Sequence, residues 1–153
     1  MKKSHEYFMK QAYNEAVKAY EKEEIPVGCV IVKDDVIIAR GHNLKETKQL
    51  STAHAEIIAI EKASKKLNNW RLEDCTMYVT LEPCPMCTGA IINSRIKNIY
   101  IAVEDNISGC CGTVDDLARK KSYSNKNVNI QYGIMQEECS KLLKEFFKKL
   151  RKK

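Results

Sequence analysis

The chain has 153 residues, a formal charge of +6 and an odd number of cysteines, Cys 7. That length supports one domain with a real hydrophobic core, and no apolar run approaches the roughly 18 residues that a membrane span needs. Disulfide stapling is a device of much shorter secreted chains, so these cysteines are expected to be thiols or metal ligands in a reducing compartment.

The opening "MKKSHEYFMKQAYNEAV" is basic but has no apolar signal core. It is expected to form an amphipathic helix from about Ser4 to Lys22 rather than a targeting segment, and a cytoplasmic protein is expected. Phe8, Ala12, Ala16 and Ala19 supply its apolar stripe at helical spacing. "IPVGCVIVKDDVIIARGHN" reads as two strands around a turn at Lys33-Asp34-Asp35. "TAHAEIIAIEKASKKL" reads as a second helix, "CTMYVTL" as a buried strand, and "PMCTGAIINSRI" as a third helix followed by the strand "KNIYIAV". A loop, "EDNISGCCGT", leads to a short helical piece near Asp115 to Arg119. "NVNIQYGI" predicts a further strand and "QEECSKLLKEFFKKLRKK" a closing amphipathic helix. Strands separated by helices of this length imply a three-layer α/β/α domain around one mixed sheet, with the first pair antiparallel and the later strands parallel.

Two motifs carry the chemistry. His54-Ala55-Glu56 opens the second predicted helix, and Cys84-Pro85-Met86-Cys87 opens the third. Helical side chains tilt toward the N-terminus, so a helix aimed end-on at a metal presents its first residues to one point. Pro85 suits the first helical position, where its missing N–H costs nothing. Free N–H groups and the positive dipole end favour thiolates there.

His54, Cys84 and Cys87 supply three soft or borderline donors, a set that suits zinc and leaves a fourth position open for water. Glu56, beside the histidine, is placed for a general base. A closed structural site would need a fourth ligand. Cys29 and Cys75 fall in strands and Cys139 on the last helix, all three expected as small core residues. Cys110-Cys111 are expected to be incidental thiols in a loop that could lie near the site. His5 and His42 are expected on the surface or in packing. A thioredoxin-like dithiol and a structural zinc with an unseen ligand remain as alternatives, each weakened by the upstream H-x-E.

H-x-E…P-C-x-x-C is the known signature of zinc nucleobase deaminases. With "IPVGCVIV", "GHN", "TAHAEIIAI", "YVTLEPCPMCTGAIINSRI" and "ECSKLLKEFFKKLRKK" in that order, the whole chain resembles the bacterial tRNA-specific adenosine deaminases of the cytidine and deoxycytidylate deaminase superfamily. The resemblance implies one deaminase domain over 1–153, with a cytidine-deaminase-like three-layer fold and a central five-stranded mixed sheet. It implies one Zn2+ per subunit on His54, Cys84 and Cys87, with a bound water or hydroxide that attacks C6 of a flipped adenine while Glu56 moves protons. The implied substrate is the wobble adenosine of a tRNA anticodon stem-loop, typically of an arginine tRNA, converted to inosine.

Asn43 matches the residue that hydrogen-bonds the base, and Val27, Leu81 and Pro83 match pocket positions; their plain readings are turn or core residues. Asp105 matches a loop position near the target nucleotide. Phe146 and Phe147, beside the basic end Lys148, Lys149, Arg151, Lys152 and Lys153, are candidates for stacking on RNA, with one expected to pack inside instead. A homodimer is expected from the family. Glu104, Cys110-Cys111 and His42 depart from its usual pattern. The rival reading within the chemistry is a zinc deaminase of a free base or nucleotide such as guanine, cytosine or a cytidylate. A non-catalytic zinc-bearing RNA-binding subunit is a further rival, and Glu56 argues against it.

Overall fold

The structure, a computed structural model, describes residues 2–120 and 128–152. Asn127, where the last strand was expected to begin, and Lys153 of the basic end lie outside the described residues. The elements run α1 (His5–Glu21), β1 (Gly28–Lys33), β2 (Val36–His42), α2 (Lys45–Lys48), α3 (Ala55–Leu67), β3 (Cys75–Leu81), α4 (Pro85–Ser94), β4 (Asn98–Val103), β5 (Asn129–Tyr132) and α5 (Gln136–Arg151).

The strands form one five-stranded sheet in the order β2-β1-β3-β4-β5. β1 is antiparallel to both β2 and β3, whereas β3, β4 and β5 are parallel to one another. β1 and β2 are joined tightly because Asp34 and Asp35 both take positive φ, at 50° and 64°, as a two-residue hairpin turn with the right twist requires. Strand alternation sorts the core into two layers. Cys29, Ile31, Met77, Val79, Ile99 and Ile101 face α3 and α4, while Val30, Val32, Tyr78 and Ala102 face α1 and α5. Complete burial of a side chain such as Ile31, Met77, Ile99 or Ile101 contributes about 1.5–3 kcal/mol each. The expected three-layer α/β/α architecture is therefore the observed one.

Gly41 shows how closely the layers approach. A Cβ there would lie 2.5 Å from the Ala55 carbonyl oxygen, so only glycine lets α3 settle this near β2. That contact seats the start of α3, where His54 is the N-cap, against the end of β2.

One expectation about local structure fails, and one element was not expected. Asp115 to Arg119 is not helical; the segment turns, with an isolated bridge between Cys111 and Asp116. Asp116 accepts from the Arg119 N–H and pairs with its guanidinium, so side chains close this turn in place of a helical ladder. The short α2 was not foreseen. It is held from outside, by the buried Glu24 carboxylate accepting from the Glu46 and Thr47 N–H groups at 3.1 and 2.6 Å. Cys29 and Cys75 lie in strands and Cys139 in α5, all buried as expected. His5 packs, with its ring stacked 4.2 Å from Tyr100 and Nδ1 2.6 Å from the Tyr78 hydroxyl.

Candidate metal centre and catalytic pocket

β2 and β3 both oppose β1, so they end at the same edge of the sheet. The chain leaves β2 toward the start of α3, and leaves β3 directly into the start of α4. The two helix N-termini therefore meet, which is the expected place for a site in an open α/β sheet. His54 is the N-cap of α3 and Cys84 the N-cap of α4, both in extended conformation, with Pro85 at the first helical position. Neither side chain caps its own helix. Both instead face a shared point.

The ligand atoms of His54, Cys84 and Cys87 all lie within 4.8 Å of one another. His54 Nδ1 is 3.7 Å from Cys84 Sγ and 3.5 Å from Cys87 Sγ. With Zn–S near 2.3 Å and Zn–N near 2.0–2.1 Å, the N···S edge of a zinc tetrahedron is about 3.6 Å. The donor set and its spacing thus fit zinc, and three protein ligands leave one position open. Cys87 is buried and Cys84 half-buried, so the open side is the pocket.

The groups of the site set one another's charge. Hydrogen bonds with Cys87, and then with His54, hold the Cys84 thiol far below its usual range, at about 4. The same bond with Cys84, helped by burial, drives the Cys87 thiol well upward. The bond to Cys84 also raises His54, against the effect of burial. Glu56, 4% exposed, is pushed up to about 7 by burial, with the negative Cys84 adding to the shift. A carboxyl group that exchanges its proton near neutrality is suited to general acid–base work.

These groups open into a cavity of about 210 Å3. Val27, Asn43, Leu81 and Asp105 all line it. Pro83 does not. It is buried behind the wall, where its carbonyl oxygen accepts from the Cys110 N–H at 3.0 Å. Asn43 also performs the local turn role weighed for it: its Oδ1 accepts from Lys45 N–H at 3.1 Å and its Nδ2 donates to the Ile25 carbonyl at 3.3 Å. Asp105 folds its own loop, accepting from the Ile107 and Ser108 N–H groups at 2.9 and 3.2 Å.

The sequence reading missed Ile25, Lys45, Glu82 and Ser108 in this wall. Of these only Glu82 carried a signal, as a carboxylate inside the otherwise apolar run "VTLEPC". Cys110 and Cys111 are both buried within the loop that begins at Asp105, and Cys111 Sγ lies 3.6 Å from Thr88 Oγ1.

The two phenylalanines divide. Phe146 is turned inward, only 9% exposed, with its ring edge-on to Tyr20. It packs against Tyr20 and Phe147 and lines a second groove with Tyr20, Lys149 and Leu150. Phe147 is 39% exposed and lines a groove of about 560 Å3 with Lys144 and Arg151. That groove shares Ile25, Leu81, Asp105 and Ser108 with the catalytic cavity, so the two adjoin.

Residues 2–103 match the family described as the cytidine and deoxycytidylate deaminase zinc-binding region. The chain is 48% identical over 148 residues to the tRNA-specific adenosine deaminase of Bacillus subtilis strain 168, covering 97% of this chain and 91% of that one. A solved structure from work on A-to-I editing by tRNA:A34 deaminases at the wobble position superposes with a TM-score of 0.83 at 33% identity, covering 89% of this chain and 98% of that one. The guanine deaminase of Bacillus subtilis superposes with a TM-score of 0.66 at 43% identity, over 75% of this chain and 74% of its own.

Proposed function

The chain belongs to the cytidine and deoxycytidylate deaminase zinc-binding family, and from that premise we propose that it deaminates the wobble adenosine of a tRNA anticodon to inosine by zinc-dependent hydrolysis. The observation that carries the reading is that the zinc-ready cavity shares a wall with the Phe147, Lys144 and Arg151 groove. A free base needs only the cavity. A stem-loop also needs cations for its phosphates and an aromatic face for a neighbouring base. The B. subtilis guanine deaminase supports the rival free-base reading by fold, but it covers less of this chain than the A34 deaminase does.

Zinc on His54, Cys84 and Cys87 would act as a Lewis acid that brings the pKa of a water at its fourth position toward about 7. Everything else falls to side chains of this chain. Glu56 takes one proton from the attacking water and passes it to the ring nitrogen of adenine, then takes the remaining hydroxyl proton and delivers it to the departing amine. The C6–O bond forms, the C6–N bond breaks, and ammonia leaves. Asn43 offers its amide to the base edge, and Val27 and Leu81 clamp the ring faces and keep bulk water out. Asp105 faces the sugar side.

In this reading residues 1–153 act as one deaminase domain, with one zinc per subunit, in a cytoplasmic homodimer that takes an arginine tRNA anticodon stem-loop. No helix among the described residues is long and apolar enough to cross a membrane.

The test is incubation of the zinc-loaded protein with a synthetic anticodon stem-loop bearing adenosine at the wobble position. Inosine at that position is the expected product. Turnover of free guanine, cytosine or cytidylate alone would replace this reading with its rival.

A further inference from the structure

We propose that Glu82 is a positioning residue that sets the pocket wall by pinning the loop from Asp105 to Thr113, an inference that rests on the deaminase reading above. The carboxylate is only 2% exposed. It accepts from the Asp105 N–H at 3.1 Å through one oxygen, and from the Cys111 and Thr113 N–H groups at 2.9 and 3.2 Å through the other. The Thr113 hydroxyl donates to it as well. A carboxylate has about four lone-pair sites, and all are used here by groups of one loop. No lysine or arginine pairs with it among the described residues, so its negative charge is met by backbone dipoles. That arrangement ties placement of the loop to this one side chain.

Position in the chain makes the tie consequential. Glu82 lies between Leu81, which walls the cavity, and Pro83-Cys84, where the metal-ligand segment begins. Its own N–H donates to the Val103 carbonyl at 2.9 Å, anchoring it to the end of β4. The loop it holds supplies Asp105 and Ser108 to the cavity and the 90%-exposed Ile107 to the adjoining groove. Gly109 is built around the same carboxylate: a Cβ there would come within 2.5 Å of Glu82 Cδ.

Glu82→Gln probes the bond to the cavity wall selectively. An amide nitrogen cannot accept. Turned toward Cys111 and Thr113 it would face two N–H groups; turned toward Asp105 it faces one, and the Thr113 hydroxyl there can accept from it instead. The variant therefore sacrifices the Asp105 N–H and keeps the others. In Glu82→Gln the amide exchange of the 104–108 segment should rise about tenfold or more, with the β3 and β4 amides unchanged. KM for the stem-loop should rise about tenfold with a smaller change in kcat. The cobalt-substituted enzyme should keep its wild-type visible absorption, since the ligands do not move. Gly109→Ala crowds both the carboxylate and the Asp105 carbonyl oxygen, each 2.5 Å from the added Cβ, and should raise KM with Glu82 intact. Wild-type exchange at 104–108, wild-type KM in either folded variant, or an altered cobalt spectrum would each overturn the assignment. The exchange measurement needs no substrate, so it decides the role of Glu82 on the loop even if the wild-type enzyme leaves the stem-loop untouched.

Discussion

His42 donates from Nδ1 to a Glu15 carboxylate oxygen at 2.9 Å, while its Nε2 lies 2.9 Å from Lys22 Nζ. The ring thus bridges Glu15 and Lys22. This link ties the middle of α1 to the last residue of β2, just before the chain turns toward Asn43 and His54. Burial alone would raise the Glu15 carboxyl; the hydrogen bonds from His42 and Lys18 outweigh it and hold the group down to about 2. A carboxyl depressed in the folded state stabilises the protein above its unfolded value and loses that contribution as pH falls through its folded value. Stability should therefore drop by on the order of 2 kcal/mol between about pH 4.5 and about pH 2 on account of this residue. Urea unfolding across that window should show a shallower decline in Glu15→Gln. An identical pH profile in the variant would contradict the assignment.

Glu56→Gln keeps the volume of the side chain and removes its capacity to carry a proton. The expected result is a loss of at least about 100-fold in kcat for inosine formation, the usual scale of general acid–base catalysis. Zinc content, by metal analysis, and stem-loop affinity should stay at wild-type levels. Retained turnover in the variant would mean that another group moves the protons.

Zinc loading should release protons. The ligands must bind as neutral imidazole and thiolates. Cys84 is already held as thiolate, with its thiol at about 4, whereas Cys87 is held as thiol and His54 is raised. Near pH 6, titration of the metal-free protein in buffers of different ionisation enthalpy should count at least about one proton per zinc, Cys87 supplying the first. Affinity should weaken as the pH falls. Binding with no buffer dependence would show that the ligands were already deprotonated.

The adjacent phenylalanines should separate stability from binding. Phe146→Ala should cost on the order of 3 kcal/mol in urea unfolding, as expected for emptying a buried aromatic site. Phe147→Ala should leave unfolding nearly unchanged and weaken stem-loop binding about tenfold, within the range for one stacked base. Equal effects of the two substitutions on binding would remove Phe147 from the RNA surface.

Period and punctuation made most of the fold readable before any coordinates. The alternation through "GCVIVK" and "TMYVTL", the helical stripe of Phe8, Ala12, Ala16 and Ala19, and the Asp34-Asp35 turn each reflect a local preference that packing reinforces. The metal set was readable for a related reason: His54, Cys84 and Cys87 are residue types that few structural needs demand at helix starts. Asp115 to Arg119 was misread, because a run without glycine or proline looks helical until Asp116 closes the turn through its own side chain. α2 was invisible because four residues have no period, and its anchor, Glu24, lies some twenty residues earlier in the chain.

The sequence by itself determined the order of the elements, the chemistry of the three donors and the presence of a carboxyl group beside one of them. Those are properties of residue type and of spacing within a single turn or strand. Only the tertiary structure decided which edge of the sheet brings the two helix starts together, that Pro83 stands behind the cavity wall rather than in it, and that Phe146 faces inward while Phe147 faces the groove. It alone assigned Glu82 to a loop up to thirty-one residues further along the chain. Side-chain direction and long-range partners are set by how layers pack, and packing joins residues whose separation in sequence carries no periodic signal.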